Sequence, residues 1–394
     1  MKKFLTILFA GILLTSCQSK ESNSSQKPKE INVYTALENE QIPMFLENFK
    51  KHYPDIKINI TRDSTGVLIT KILAEKDNPQ ADVVWGTAAT GLLMLDKENL
   101  LKPYAPKGLE KVDPKFKDSA EKPVWVGNNA WMATFAVNKN ELAKLGLPIP
   151  QTYEDLLNPK YKGLISMPHP ASSGTGFLAI AGFIQIMGEE KAWEYMEKLH
   201  ENIGVYTHSG SKPAKQAANG EYPIGISYDY PSVKLMNEGN PIEVIFPAEG
   251  SGWDSEANAL INKKDIKDES KIFLDWAISE EMMKLYGTQY AIISIDINNP
   301  VPDGYPVDPV SHLVKNDFKW LAENKNTILN KWSAFSPFIS EYIQRNQSRH
   351  RFRRPEHGKP DSLGRTRSII TQRNPDRTCP PSRFTSESWL GNIY

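Results

Sequence analysis

Residues 31–87 read INVYTALENEQIPMFLENFKKHYPDIKINITRDSTGVLITKILAEKDNPQADVVWGT. Apolar side chains at 31–35 and 56–60 alternate with polar ones, the period of a half-buried strand, and 82–85 is a third short apolar run. Between them, 41–52 and 67–75 place apolar residues at helical spacing, and another helix follows Gly86-Thr87. A chain that repeats strand then helix predicts a parallel α/β sheet. Ligands of such sheets gather at the carboxyl ends of the strands. In this stretch those ends carry small polar residues: Thr35, Ser64-Thr65-Gly66 and Gly86-Thr87.

Outward from that stretch the alternation continues. The middle of the chain begins near 128–138; strands are expected at 164–167, 224–227 and 257–261, and helices at 153–157, 193–199 and 269–285, the last as one continuous element. The globular part has neither an internal repeat nor a low-complexity segment. The first residues are of another kind. Met1-Lys2-Lys3 is a basic end, and an eleven-residue apolar run at 4–14 is too short to span a bilayer of about 30 Å, so 1–17 reads as a signal sequence. It ends Leu14-Thr15-Ser16-Cys17, which resembles a bacterial lipobox and implies acylation of Cys17. The polar segment 18–30 then reads as a flexible tether. With Cys17 lipidated, Cys379 has no partner, and the fold relies on its core without disulfides.

The formal charge of the 394 residues is zero, but it divides unevenly. Residues 1–344 hold 35 of the 36 lysines and one arginine, Arg62, and carry −7; residues 345–394 hold ten arginines and one lysine and carry +7. A basic tail can be a nucleic-acid arm. This one lacks periodicity and follows an export signal, so a frameshift, read-through or cloning junction is the expected origin of an atypical tail over 334–394. The acidic remainder argues against a nucleic-acid partner.

Chemistry-bearing residues cluster at the starts of helices. Residues 170–177, PASSGTGF, lie between a strand and a helix. Hydroxyls and glycines there can leave N–H groups free at the positive end of the helix dipole, an anion site; they also suit a plain N-cap. Three hydroxyl-bearing helix starts (at 64–66, 87 and 172–175) favour a shared anion site, and the lone Arg62 could add a bidentate contact to phosphate or carboxylate. Tyr228-Asp229-Tyr230 ends a strand and could be a ligand wall, packing, or oxygen ligands for a hard metal. Trp253-Asp254-Ser255-Glu256 could hold an ammonium by its ring and acids. Residues 174–179 also fit G-x-G-x-x-A, but no acid ends a strand at the required offset, so a dinucleotide site is set aside. No nucleophile elbow, H-E-x-x-H or Walker A loop is present, and His52, His169, His200, His208 and His312 lack ligand spacing, so no catalytic residue, enzyme activity or cofactor is expected.

From 31 to about 333 the chain resembles the extracellular solute-binding proteins of ABC importers, in the branch that includes ferric-iron binders. More narrowly, it is similar to the 2-aminoethylphosphonate-binding subfamily. The stretches that carry the resemblance are NPQADVVWGTAATG (78–91), YKGLISMPHPASSGTGFLAI (161–180), HENIGVYTHSGSKPAKQAANGEYPIGISYDY (200–230) and IEVIFPAEGSGWDSEANALI (242–261). The resemblance implies an α/β, two-lobed periplasmic-binding-protein fold of type II, with a hinge and an interlobe cleft. Lobe 1 would hold 31–130 and 255–333, and lobe 2 would hold 131–254. Cleft positions would be Thr35, Ser64, Thr65 and Thr87 from one lobe, and Ser172, Ser173, Gly174, Thr175 and Tyr228 from the other. With Arg62, Asp229 and Glu256 they form the expected site for a small phosphonate or phosphate ester. Partners would be an ABC permease and ATPase, at the cell envelope, with the lipid anchor in a membrane. The alternative ligand is ferric iron on Glu38, Tyr228 and Tyr230, although Asp229 separates the two tyrosines that iron-binding relatives keep adjacent.

Overall fold

A computed structural model describes residues 29–335. The signal sequence with Cys17, the tether up to residue 28 and the tail beyond 335 lie outside the described residues. The quoted stretch forms β1 (Glu30–Thr35), α1 (Gln41–His52), β2 (Lys57–Arg62), α2 (Thr65–Ala74), β3 (Val83–Ala88) and α3 (Ala89–Lys97). β2 and β3 flank β1 in parallel, as strand–helix alternation requires. α1 buries Ile42, Phe45 and Phe49 on one face and ends in Lys50, Lys51 and His52, cations that suit the negative end of its dipole.

After β4 (Leu101–Lys102) the chain enters β5 (Val126–Asn138), which is buried along its whole length. This strand decides the architecture. Further along lie α4 (Lys139–Lys144), β6 (Ile165–Pro168), α5 (Gly174–Met187), α6 (Glu189–Asn202), β7 (Ile203–Thr207), α7 (Lys212–Ala218), β8 (Ile224–Tyr228), α8 (Asp229–Asn237) and β9 (Ile242–Ile245). They are followed by β10 (Trp253–Ile261), α9 (Asp268–Ala277), α10 (Glu280–Tyr286), β11 (Ile292–Ile293) and α11 (Phe318–Phe335). Val126 to Met132 of β5 pair antiparallel with β10, whose other edge pairs with β3. Ala133 to Asn138 pair instead with β8 and β9, and β8 leads on to β6 and β7. One strand thus belongs to two sheets, the hinge of a two-lobed α/β fold. The return from β9 to β10 runs beside it, with the Ala133 amide donating to the Gly252 carbonyl at 2.9 Å.

Each lobe has its own aromatic core. In the first, Phe45, Phe49, Trp85, Phe273 and Trp276 interlock at centroid distances of 4.9–6.0 Å, and the Trp85 indole N–H donates to the Tyr286 hydroxyl at 3.1 Å. In the second, Tyr153 meets Phe135 and Phe183 edge-on at 5.5 and 5.1 Å. Burying each such ring stabilises the fold by about 1.5–3 kcal/mol.

Two expectations change. The helix expected over 269–285 is two helices, because Ser279 turns extended (ψ 156°) and its hydroxyl accepts the Met282 amide to start α10. The last segment does not stay with the first lobe. Asn237 donates to the Asp303 carbonyl (2.9 Å), the Phe246 and Tyr305 rings lie 5.9 Å apart, and Ser251 bridges to Leu313, so the chain beyond β11 runs back over the second lobe before α11.

Candidate functional site

The two lobes meet at one cavity, lined by Ala36, Glu38, Arg62, Ser64, Thr65, Gly86, Ala88 and Glu256 on one side and by Trp131, Ser173, Gly174, Thr175, Gly210 and Tyr228 on the other. Three helices start there, α2, α3 and α5. The first N–H groups of a helix lack partners within it, so three positive helix ends converge. At α5 the Ser173 hydroxyl accepts the Gly176 amide at 3.4 Å, a long cap. At α2 the Ser64 hydroxyl is not used as a cap and reaches the His208 carbonyl of the other lobe at 3.4 Å.

Charge in the cavity is organised around Glu38. Its buried carboxylate accepts from the Tyr228 hydroxyl at 3.1 Å and sits 3.3 Å from the Arg62 guanidinium and 3.5 Å from the Lys215 ammonium. Arg62 also donates from Nε to the Leu37 carbonyl at 2.9 Å. Donors from both lobes therefore share one carboxylate. Opposite, Glu256 accepts from the Asn129 amide and the Tyr290 hydroxyl, both at 2.9 Å. Burial pushes its carboxyl up to about 7, and Glu38 adds to the rise. Trp131 stands edge-on to the Tyr228 ring at 5.4 Å and forms an aromatic wall.

Direct contacts between the lobes close the rim. The Gly66 amide donates to the Ser172 carbonyl at 3.1 Å, and His208 lies 3.5 Å from Asp63, an interaction that holds the Asp63 carboxyl below its ordinary range. Beneath the 170–176 loop, the His169 imidazole accepts the Ala171 amide at 3.2 Å. Burial lowers its pKa to about 4, with His208 adding to the effect, so it braces the loop as a neutral ring.

Of the residues expected at a site, Arg62, Ser64, Thr65, Ser173, Gly174, Thr175, Tyr228 and Glu256 share this cavity. The others stand apart from it. Thr35 turns its hydroxyl to the Leu37 amide (3.2 Å). Thr87 points into the core, where its hydroxyl has no partner among the described residues, while its neighbours Gly86 and Ala88 line the cavity. Ser172 stays at the rim, bonded to the His208 carbonyl at 3.2 Å. Asp229 follows Tyr228 but faces the other way, accepting the Tyr230 amide at 2.9 Å, and complete burial raises its carboxyl to about 8. Trp253 packs on Phe116 and Phe318 and donates to the Val314 carbonyl. Of the iron trio, Glu38 and Tyr228 line the cavity, whereas Tyr230 is not in its lining and packs against Tyr290 at 5.5 Å.

The sequence reading missed Trp131, Gly210 and Lys215. Trp131 carried no local signal because every residue of β5 is buried. Gly210 is needed for close approach, as a Cβ there would sit 2.1 Å from the Thr175 hydroxyl oxygen. Lys215 is one lysine of many, and only its distance from Glu38 distinguishes it.

Two lobes hinged through shared strands, with polar groups of both facing one cavity, define a solute-binding protein. The chain belongs to the bacterial extracellular solute-binding protein family, whose model matches residues 45–298. It is 30% identical over 319 residues to an uncharacterized protein of Haemophilus influenzae, covering 79% of this chain and 92% of that one. Among solved structures it is similar to the periplasmic binding protein AfuA from Actinobacillus pleuropneumoniae with exogenous fructose-6-phosphate bound. That match has 31% identity and a TM-score of 0.71, and covers 77% of this chain and 98% of AfuA. Iron-bound HitA from Pseudomonas aeruginosa shares the fold at 19% identity and a TM-score of 0.65, over 77% and 99% of the two chains. Among the described residues no helix is long and apolar enough to cross a membrane.

Proposed function

We propose that this protein is the substrate-binding component of an ABC importer, and that it captures a small phosphorylated compound of the sugar-phosphate class in the interlobe cavity. The observation that carries this reading is the convergence of three helix N-termini, with the hydroxyls of Ser64, Thr65, Ser173 and Thr175, on one cavity. Such groups bind an oxyanion by charge-assisted hydrogen bonds without a large overall positive field. Arg62 and Lys215 already share the Glu38 carboxylate, so the phosphate group is held mainly by N–H and hydroxyl donors. Glu38, Glu256 and the Tyr228 hydroxyl face the rest of the ligand. Acceptors there suit a hydroxylated body, and would also suit the ammonium of 2-aminoethylphosphonate. The fructose-6-phosphate held by AfuA favours the sugar.

The binding step is closure. The ligand joins the lobes, and the rim contacts at Gly66–Ser172 and Asp63–His208 complete the enclosure. A lipid on Cys17 would tether the protein at the cell envelope, where it delivers its load to a permease driven by an ATPase subunit. Iron is the weaker reading, because only Tyr228 and Glu38 of the three oxygen ligands meet. Thermal-shift titration with fructose 6-phosphate, glucose 6-phosphate, 2-aminoethylphosphonate, inorganic phosphate and ferric citrate tests the proposal. A phosphorylated sugar should raise the melting temperature most, following RT ln(1 + [L]/Kd). A response to ferric citrate alone would overturn the reading.

A further inference from the structure

Helix α11 is a rod of 18 residues, about 27 Å long. Its two ends bind different lobes. Near its start, Phe318 packs edge-on against Trp125 and Trp253 at 6.1 and 4.9 Å, and Lys97 of α3 donates to the Ala322 carbonyl at 3.3 Å. Near its end, the Lys331 ammonium lies 3.4 Å from Glu189 and 4.6 Å over the Trp193 ring of α6, and Trp332 meets Tyr206 of β7 at 5.6 Å. The first contacts belong to the first lobe and the hinge, the second to the second lobe.

Between the two ends sits Lys325, only 5% exposed. Its ammonium lies 4.5 Å over the ring of Phe177, in the first turn of α5. The buried carboxylate of Asp254, at the start of β10 in the hinge, favours the charged form of Lys325 from beyond ion-pair distance. That carboxylate accepts the hydroxyl of Thr90 at 2.6 Å, in the first turn of α3. α3 and α5 are helices of opposite lobes, and both open onto the ligand cavity. Burying an ammonium is costly without compensation, so a lysine retained here needs its ring and carboxylate partners in place. Burial does pull it down, to about 8, while Asp254 opposes the fall.

We propose that Lys325 is a positioning residue for the binding cleft: through Phe177 and Asp254 it ties together the α5 and α3 starts, and α11 acts as a strap that biases the lobes toward closure. A rigid helix fixed to both lobes cannot follow an opening motion without giving up contacts at one end. The strap therefore sets how long a ligand stays, and less how fast it arrives.

The test compares the full chain with its Lys325→Met, Asp254→Asn and double variants. Small-angle scattering without ligand is expected to show a larger radius of gyration for each variant than for the parent. Stopped-flow tryptophan fluorescence with fructose 6-phosphate is expected to show dissociation at least tenfold faster, with association within about threefold. The double variant should add little to either single one, because both break the same tie. A lowered melting temperature with unchanged radius and dissociation rate would make Lys325 a packing residue only and overturn the proposal. The kinetic arm rests on the phosphorylated-ligand reading, whereas the scattering arm does not, so the two can fail separately. Should the buried substitutions prevent folding, Lys331→Ala combined with Tyr206→Ala removes the Glu189, Trp193 and Tyr206 contacts at the far end of α11 and must enlarge the ligand-free radius; no change there also overturns the strap.

Discussion

Replacing Gly66 by alanine should block closure without harming the fold. Gly66 lies in the first turn of α2 with ordinary helical backbone, so alanine suits its conformation and favours the helix by up to about 1 kcal/mol. The obstacle comes from the other lobe. A Cβ at this position would lie 2.2 Å from the Ala171 carbonyl oxygen and 2.8 Å from that of Ser172. Both are backbone atoms, so no side-chain rotation relieves the overlap. A separation of 3.0 Å is the least that real Cβ atoms tolerate, so the lobes must part by about 0.8 Å along this line. That movement lengthens the Gly66–Ser172 hydrogen bond from 3.1 Å and breaks the Ser64–His208 contact, already at 3.4 Å. At about 0.5–1.5 kcal/mol for each bond, affinity should fall by about 1–3 kcal/mol, roughly five- to 150-fold. Isothermal titration calorimetry with the phosphorylated compound that shifts melting most supplies the affinity, and the melting temperature without ligand supplies the control. Unchanged affinity would refute the argument that closure brings these backbones together. A large drop in melting temperature would show that the contact belongs to the fold and not to closure.

Other expectations concern the cavity itself. Ser173→Ala with Thr175→Ala should weaken ligand binding by about 2–4 kcal/mol in calorimetry, while stability falls by only the lost cap, about 1 kcal/mol. Glu256 is buried with its proton favoured, so its contribution to stability is complete below the ordinary carboxylate range and is lost as pH rises through about 7. Compared with Glu256→Gln, the parent protein should lose about 2 kcal/mol between pH 5.5 and 8.5 in denaturant unfolding; parallel pH profiles would contradict the burial argument. Because the Tyr228 hydroxyl is engaged by Glu38 and burial holds its proton, incubation with ferric citrate should produce no visible tyrosinate–iron absorption band, and a band would restore the iron reading.

The elements were legible wherever one face of a segment is buried, since burial then imposes a period on the sequence. α1 and β1 were recognised within a residue for that reason. β10 begins four residues before the expected strand, because its first residues pair with β5 and are buried on both faces, which removes alternation. The site divides in the same way. Ser64, Thr65, Ser173, Gly174 and Thr175 were readable because helix starts carry a local chemical signature, and Arg62 because it is the one arginine of residues 1–344. Asp229 was not, since adjacent residues at a strand end point in opposite directions, and only the fold decides which one faces the cavity.

The order of strands and helices, the hydroxyl-rich helix starts and the division between lysine-rich and arginine-rich segments were determined by the sequence alone, because each depends on neighbours within a few residues. The tertiary structure decided that β5 serves two sheets, that Glu38 gathers Arg62, Lys215 and Tyr228, and that α11 touches both lobes. Those contacts join residues from about 25 to more than 200 positions apart. No local period encodes such pairs; they exist only once the chain has crossed the hinge and brought one lobe against the other.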